Sequence, residues 1–271
     1  MKIKNRMLFL LKLLVGIIVI LPLLYAISVS FMRPEEVFAN PKVLLPGGLY
    51  FGNYTAALAG APLFTFIKNS FIVSTVVTIG QIIICSLAAY AFVYFRIPFK
   101  NLLFLFVLAT MMIPGESIII ANYMTIGSWG WMDTFKGLTI PYLTSAMGIF
   151  LMRQYFMTIP KELYEAAKMD GCSNFRFFLQ ILLPLSRPAI GSLGVYTFLS
   201  TWNQYMWPLL ITNKDSMRTV QIGVGMLQNA ESQSFGIIMA GIVLVLIPST
   251  LIFIFGQKQL VSGITSGSVK G

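Results

Sequence analysis

The chain has 271 residues, of which 57% are hydrophobic and only 10% are charged, against roughly 25% charged residues in an ordinary soluble domain. Uncharged runs long enough for the ~20-residue helix that crosses a bilayer recur along it, which excludes a water-soluble globule. The net charge of +10, from 19 Lys and Arg against 9 Asp and Glu, is spread over short segments rather than gathered into the basic patch of a nucleic-acid binder.

In chain order, residues 1–6 carry Lys2, Lys4 and Arg6, and apolar sequence then runs to Phe31, interrupted only by Lys12. A cleaved signal has an apolar core of about 7–15 residues. Residues 13–31 are uncharged throughout, which predicts a retained first span with Lys12 snorkelling to the headgroups. Residues 33–65 contain Pro34, Pro41, Pro46, Gly47, Gly48 and Pro62, a composition of turns and extended chain. Further spans are predicted over 69–95, 101–123, 138–156, 189–212 and 235–257, the fourth with Arg153 near its end. Between the last two, residues 213–234 place Lys214, Asp215, Arg218 and Glu231 around an apolar stretch over 220–227. The fold class is therefore an all-α membrane protein with six transmembrane helices and both termini on one side.

Basic residues set the orientation. Lys2, Lys4, Arg6, Lys12, Arg96, Lys100, Arg153, Lys161, Lys168, Arg176, Arg187, Lys258 and Lys270 fall on one side, and Arg33, Lys42, Lys68, Lys136, Lys214 and Arg218 on the other. The positive-inside rule then makes the termini and the segment between spans four and five cytoplasmic.

The residue inventory removes several chemistries. There is no histidine and no GxxxxGK[ST] phosphate loop, so any nucleotide energy comes from another chain. Cys85 and Cys172 have no disulfide or metal spacing, and an intramembrane enzyme lacks converging nucleophiles or ligands. A self-sufficient secondary transporter or channel, the alternative reading, should show ionisable residues or broken helices in several spans. Only Glu116, after Pro114 and Gly115, stands clearly inside one. Glu116, with Trp202, Asn203 and Tyr205 in span five, is a candidate pathway residue. An outer-interface or subunit-pairing position for Glu116 and ordinary aromatic packing for Trp202 remain open.

The segment 158–188 carries a pattern that the membrane alone does not require. Pro160 suits the first turn of a helix and Glu162 its positive end. Residues 162–169 are helix formers, and Gly171 suits a left-handed close. A helix of two to three turns is too short to stand alone and needs a surface to lie on. Glu165, Ala166, Ala167, then Gly171, then Ile181, Leu183 and Pro184 together resemble the EAA loop of permease subunits in ATP-binding-cassette importers. Asn53-Tyr54, Asn69-Ser70, the stretch from Trp202 to Leu209 and the tail from Gly263 to Gly271 extend the likeness toward the carbohydrate-uptake branch. It is similar to the smaller maltose-system permease, and the Trp202 to Leu209 stretch together with Pro114-Gly115-Glu116 is similar to permeases of glycerol-phosphate and related importers.

The resemblance implies a type I importer fold: one permease domain over 1–271, a cytoplasmic coupling-helix loop over 158–188 and a cytoplasmic tail over 258–271. It further implies a plasma (inner) membrane location, a second homologous permease, an ABC ATPase dimer and an extracytoplasmic solute-binding protein as partners, and no nucleic acid. ATP and Mg would sit on the ATPase, with no cofactor or metal on this chain. Glu165 would be the polar contact to the ATPase, Ala166 and Ala167 the close-packing face, Gly171 the turn, and Leu183 and Pro184 the residues setting the re-entry angle of span five. The 258–271 tail would reach toward the ATPase dimer, and the 213–234 segment would be the docking element for the solute-binding protein.

Overall fold

The computed structural model describes residues 2–39, 44–230 and 235–266. Pro41, Lys42, Glu231, Lys270 and tail residues 267–271 lie outside the described residues. All regular elements described are helical. The first span is α1 (Lys2–Ser30), none of whose apolar window is buried within the chain. The segment predicted as turns and extended chain instead holds two short helices, α2 (Pro34–Val37) and α3 (Gly52–Gly60). Prolines at a first turn are compatible with helix because the missing N–H would have no partner there. A long helix, α4 (Leu63–Tyr94), forms the second span.

The next three spans are not single rods. α5 (Lys100–Thr110) and α6 (Gly115–Ser128) meet at 92°, so the continuous third helix expected over 101–123 is corrected to a broken one. Pro114 stands immediately before α6 and cannot donate a helical hydrogen bond. α7 (Phe135–Thr139), continued by a 3-10 turn over Ile140–Tyr142, bends by 46° into α8 (Ala146–Phe156). Thr134 and Ser145 supply the caps, accepting hydrogen bonds from the Gly137 and Gly148 amides at 3.1 and 3.0 Å. The intervening loop folds as α9 (Lys161–Met169), α10 (Asn174–Phe177), a π turn over Phe178–Leu182 and α11 (Leu183–Leu185). α12 (Arg187–Trp202) then ends where the fifth span was expected to continue, and the helix restarts as α13 (Met206–Ile211). α14 (Val220–Ala230) and α15 (Phe235–Ser266) complete the chain. Among the described residues, three helices are long and apolar enough to cross a membrane, or up to six spans result if each bent pair counts as one.

The chain divides into two compact units, Met1–Ile67 with Ile222–Ile247 and Lys68–Gln221 with Pro248–Gly271. In the first, Asn53 closes the exit of α1 by donating both amide hydrogens, to the Ser30 carbonyl at 2.9 Å and the Met32 carbonyl at 2.8 Å. Tyr54 adds a hydroxyl contact to Ser30 at 2.8 Å, and its ring lies against Phe31. Gly223 lets the α14 backbone approach Phe66 and Leu63, where a Cβ would lie 2.5 and 2.9 Å from their side chains.

The second unit repeats the amide device. Asn69 donates to the carbonyls of Ser216 and Arg218, both at 2.9 Å, and the Ser70 hydroxyl accepts from the Val220 amide at 2.9 Å. Nearby, Asp133 has φ 53°, a left-handed backbone that Asp tolerates better than most residues. Its Oδ1 accepts from the Asn213 and Lys214 amides at 2.6 and 2.9 Å. Those bonds, the one from Lys214 foremost, hold its carboxyl below the usual carboxylate range.

Deeper in this unit, buried Gln81 of α4 is hydrogen-bonded through both its amide nitrogen and its oxygen. Its amide donates to the Tyr142 carbonyl at 2.9 Å, and its oxygen accepts from Ser145 at 3.0 Å and from Thr197 at 2.9 Å. One side chain thus ties α4 to the α7–α8 bend and to α12. Gly148 brings α8 against the same helix, with a Cβ there 2.8 Å from buried Cys85, the close approach that small residues permit between membrane helices. Arg153 is accommodated by stacking its guanidinium 4.1 Å above the Phe104 ring.

Replacing Gln81 by Leu strands Ser145, Thr197 and the Tyr142 carbonyl, and should destabilise the protein by about 1–3 kcal/mol. The check is a lower thermal midpoint in detergent, with Thr75→Val as a comparison that leaves the network intact. Because the Asp133 pKa is lowered on folding, its contribution is fully present above the ordinary carboxylate value of about 4 and is lost as pH falls through the folded value. Protection of the 213 and 214 amides against hydrogen exchange, relative to the intrinsic rate at each pH, should therefore fall below about pH 4, and Asp133→Asn should weaken that pH dependence.

Candidate functional site

The loop between α8 and α12 is where the sequence concentrates its unexplained pattern. α9 begins directly after Pro160, with Glu162 in its first turn and Lys168 in its last, the arrangement that complements the helix dipole. It ends in a complete Schellman closure. The Gly171 amide donates to the Lys168 carbonyl at 3.1 Å and the Cys172 amide to the Ala167 carbonyl at 2.9 Å. Gly171 has φ 75°, and a Cβ there would meet nothing within 4 Å, so backbone conformation alone favours glycine.

The paired alanines part company. Ala167 is 7% exposed and packs into a cluster with Tyr90, Phe156, Ile159, Phe177, Phe178 and Leu182, whereas Ala166 faces outward. Glu165 is also exposed and has no ion pair among the described residues. Around them the surface is unusually apolar for water, with Leu163, Met169 at 83% and Phe175 at 66% exposure.

The inward face of the loop is fixed by aromatic side chains that the sequence reading passed over. Tyr164 meets Tyr94 and Phe177 with ring centroids 5.0 Å away in each case. Tyr90 lies 5.2 Å from Phe178 and 5.3 Å from Tyr94. Two hydroxyls then grip one residue: Tyr90 donates to the Asn174 carbonyl at 3.0 Å, and Tyr164 bonds the Asn174 Oδ1 at 2.9 Å. A signal was available in the Tyr90 and Tyr94 pair, four residues apart on one helix face and at the end of a span where interfacial aromatics gather.

Leu183 packs against the same cluster, and Pro184 is exposed. The chain bends by 77° between Asn174–Leu185 and Arg187–Trp202, so the corner lies at Ser186, just beyond Pro184. Ser186 is fully buried there, its hydroxyl donating to the Leu182 carbonyl at 2.8 Å. A π turn precedes Pro184, its closing bond running from the Leu183 amide to the Phe178 carbonyl.

The other candidate residues lie apart from this loop. Glu116 is exposed in the first turn of α6 at the 92° break. Trp202 is 1% exposed and stacked on Phe198 at 5.9 Å, leaving no open ring face. Asn203 caps α12 through the Leu199 carbonyl at 2.9 Å and accepts from Gln221 at 3.2 Å, while Tyr205 is exposed.

Residues 81–266 match the family described as binding-protein-dependent transport system inner membrane component, a match that takes in the whole of this loop. The chain belongs to that family. An inner membrane component of this kind is a transport subunit and not itself an enzyme. The sn-glycerol-3-phosphate transport system permease protein UgpE of Agrobacterium fabrum is 39% identical over 264 residues, covering 94% of each chain. The protein of the same name from Pectobacterium atrosepticum is 37% identical over 261 residues, covering 93% of each. Among solved structures, a bacterial ABC transporter involved in the import of the acidic polysaccharide alginate has a similar fold. It gives a TM-score of 0.81 at 22% identity, over 95% of this chain and 96% of that one. The inner membrane component fold is therefore the type I importer fold, with its family match spanning α9 and the bent entry to α12.

At Gly171, substitution by Ala adds a Cβ to a left-handed residue without any clash and should cost about 1–2 kcal/mol. The expected result is faster hydrogen exchange at the 171 and 172 amides, with Gly171→Asn intermediate because Asn tolerates this backbone better.

Proposed function

We propose that this chain is one of two homologous permeases in an importer for a phosphorylated glycerol or a related carbohydrate, and that α9 is its coupling helix. The solute class rests on the relatives named for sn-glycerol-3-phosphate transport. The coupling role is carried by one observation: α9 is clamped on its inner side by Tyr90, Tyr94 and Phe177 while Glu165 and Ala166, with apolar Leu163 and Met169, remain exposed on it. A short helix that is rigidly mounted yet unsatisfied on its outer face is suited to insertion into a cleft of a second protein.

In this reading both termini and the α9 loop are cytoplasmic. An ABC ATPase dimer, which binds ATP and Mg, closes on nucleotide and displaces α9. Ala167 seats the helix on its own spans, Ala166 allows the ATPase backbone to come near, and Glu165 pairs with a cation of that partner. Gly171 ends the helix, while Leu183 and Pro184 lead into the corner at Ser186. Outside, residues 213–234 dock a solute-binding protein, and Glu116, Asn203 and Tyr205 are open to the solute path, whereas buried Trp202 is not. The 258–271 tail approaches the ATPase dimer, its helix continuing to Ser266.

The test is uptake in the reconstituted assembly. Glu165→Lys and Gly171→Asp should leave membrane insertion unchanged, lower solute uptake at least tenfold and abolish stimulation of ATP hydrolysis by the loaded binding protein. Wild-type uptake in both variants overturns the coupling assignment.

A further inference from the structure

We propose that the groove between the start of α12 and the last turns of α15 binds the phosphate head of an anionic phospholipid. The groove has a volume of about 560 Å³ and is lined by Arg187, Pro188, Ile190, Gly191, Lys258 and Gln259. It lies where Phe235–Gln259 ends as a span and where the chain turns into α12, and it is separate from the α9 surface.

Its construction is specific. A Cβ at Gly191 would lie 2.8 Å from the Gln259 side chain, and one at Gly256 would collide with Val195, so two glycines bring α12 and α15 together along the groove. On this narrow base stand two cations, Arg187 and Lys258, both exposed and neither with an ion-pair partner among the described residues. Like charges at the mouth of one cavity repel, and a phosphate between them removes that repulsion. The α12 N-terminus adds its positive dipole end. Basic pockets between transmembrane helices at the membrane surface are suited to acidic headgroups.

The walls distinguish a lipid from a free anion. Pro188 and Ile190 give the groove an apolar side. Leu251, Ile254 and Phe255, one and two turns before Lys258, are also exposed, Phe255 at 78%. Positions 251, 254, 255 and 258 share one face of a helix, so an apolar track runs from the bilayer to the Lys258 ammonium. A soluble phosphate would leave that track unused, whereas acyl chains would cover it.

The experiment measures phosphatidylglycerol retained per chain by native mass spectrometry. The membrane complex is purified from phosphatidylcholine nanodiscs doped with phosphatidylglycerol. Wild type should keep one phosphatidylglycerol through delipidation, and Arg187→Gln with Lys258→Gln should weaken retention at least tenfold. Arg6→Gln with Arg96→Gln, which removes the same charge elsewhere, should retain it. Should the double variant fail to assemble, Arg187→Lys and Lys258→Arg, which keep the charge, must bind as wild type, and Lys258→Gln alone must bind more weakly. Equal retention in the groove variants overturns the proposal. Displacement of the lipid by millimolar inorganic phosphate or sn-glycerol-3-phosphate also overturns it, in favour of a free-anion site. None of these readouts depends on ATP hydrolysis or uptake, so the result is independent of the role given to α9.

Discussion

A nine-residue helix is not stable on its own in water, and the seating of α9 on the ends of the spans is the interaction on which the rest of the site depends. Ala167 contributes the close approach, Tyr164 the aromatic contact and Asn174 the point where two tyrosine hydroxyls meet. Remove the seat, and Glu165 and Ala166 sit on a disordered loop with no fixed direction. The same seat explains why so apolar a rim as Leu163, Met169 and Phe175 can remain in water: the helix is held by its other side and does not need to bury these residues within the chain.

A second constraint is that the bilayer core offers no hydrogen bonds to a broken backbone. The spans nevertheless break at Pro114, at the α7–α8 bend and at Ser186, and the last two breaks come with a local substitute. The Ser145 hydroxyl caps α8 and simultaneously reaches Gln81. The Ser186 hydroxyl returns to Leu182, just beyond a π turn over Phe178–Leu182. Elsewhere, Asn53 and Asn69 each spend both amide hydrogens on carbonyls of a turning chain. Their place in the family resemblance is thereby given a structural reason.

How much of this was legible follows from which signals are local. Apolar length located the six spans, and dipole placement with Gly171 located α9, because both are written in consecutive residues. The breaks were less visible: Pro114 was read only as the neighbour of Glu116, and nothing between Trp202 and Met206 signals the interruption except the tertiary setting of Trp207, whose indole donates to the Gly137 carbonyl at 3.2 Å. The division between Ala166 and Ala167 was likewise hidden, since adjacent positions on a helix differ by 100° and only the partner surface decides which one is inward. The Tyr90, Tyr94 and Asn174 clamp joins residues some eighty positions apart, a juxtaposition that no window along the sequence contains.

Under the proposed coupling role, these contacts offer two routes for a displacement of α9. One route leaves through Tyr164 and Tyr94 into α4; the other continues through α10, the π turn and the Ser186 corner into α12. The routes rejoin at Gln81 and Thr197, which bond α4 to α12 at 2.9 Å. Sliding α12 past α4 would break that bond in surroundings without water to replace it, so the arrangement favours motion of the two helices as one body. The flexible elements are then the corners, where the hydrogen bonds are made by serine hydroxyls and can be remade over small rotations. In the proposed coupling role, a push on the outer face of α9 would be converted into a rotation at Ser186 rather than a shear within the spans.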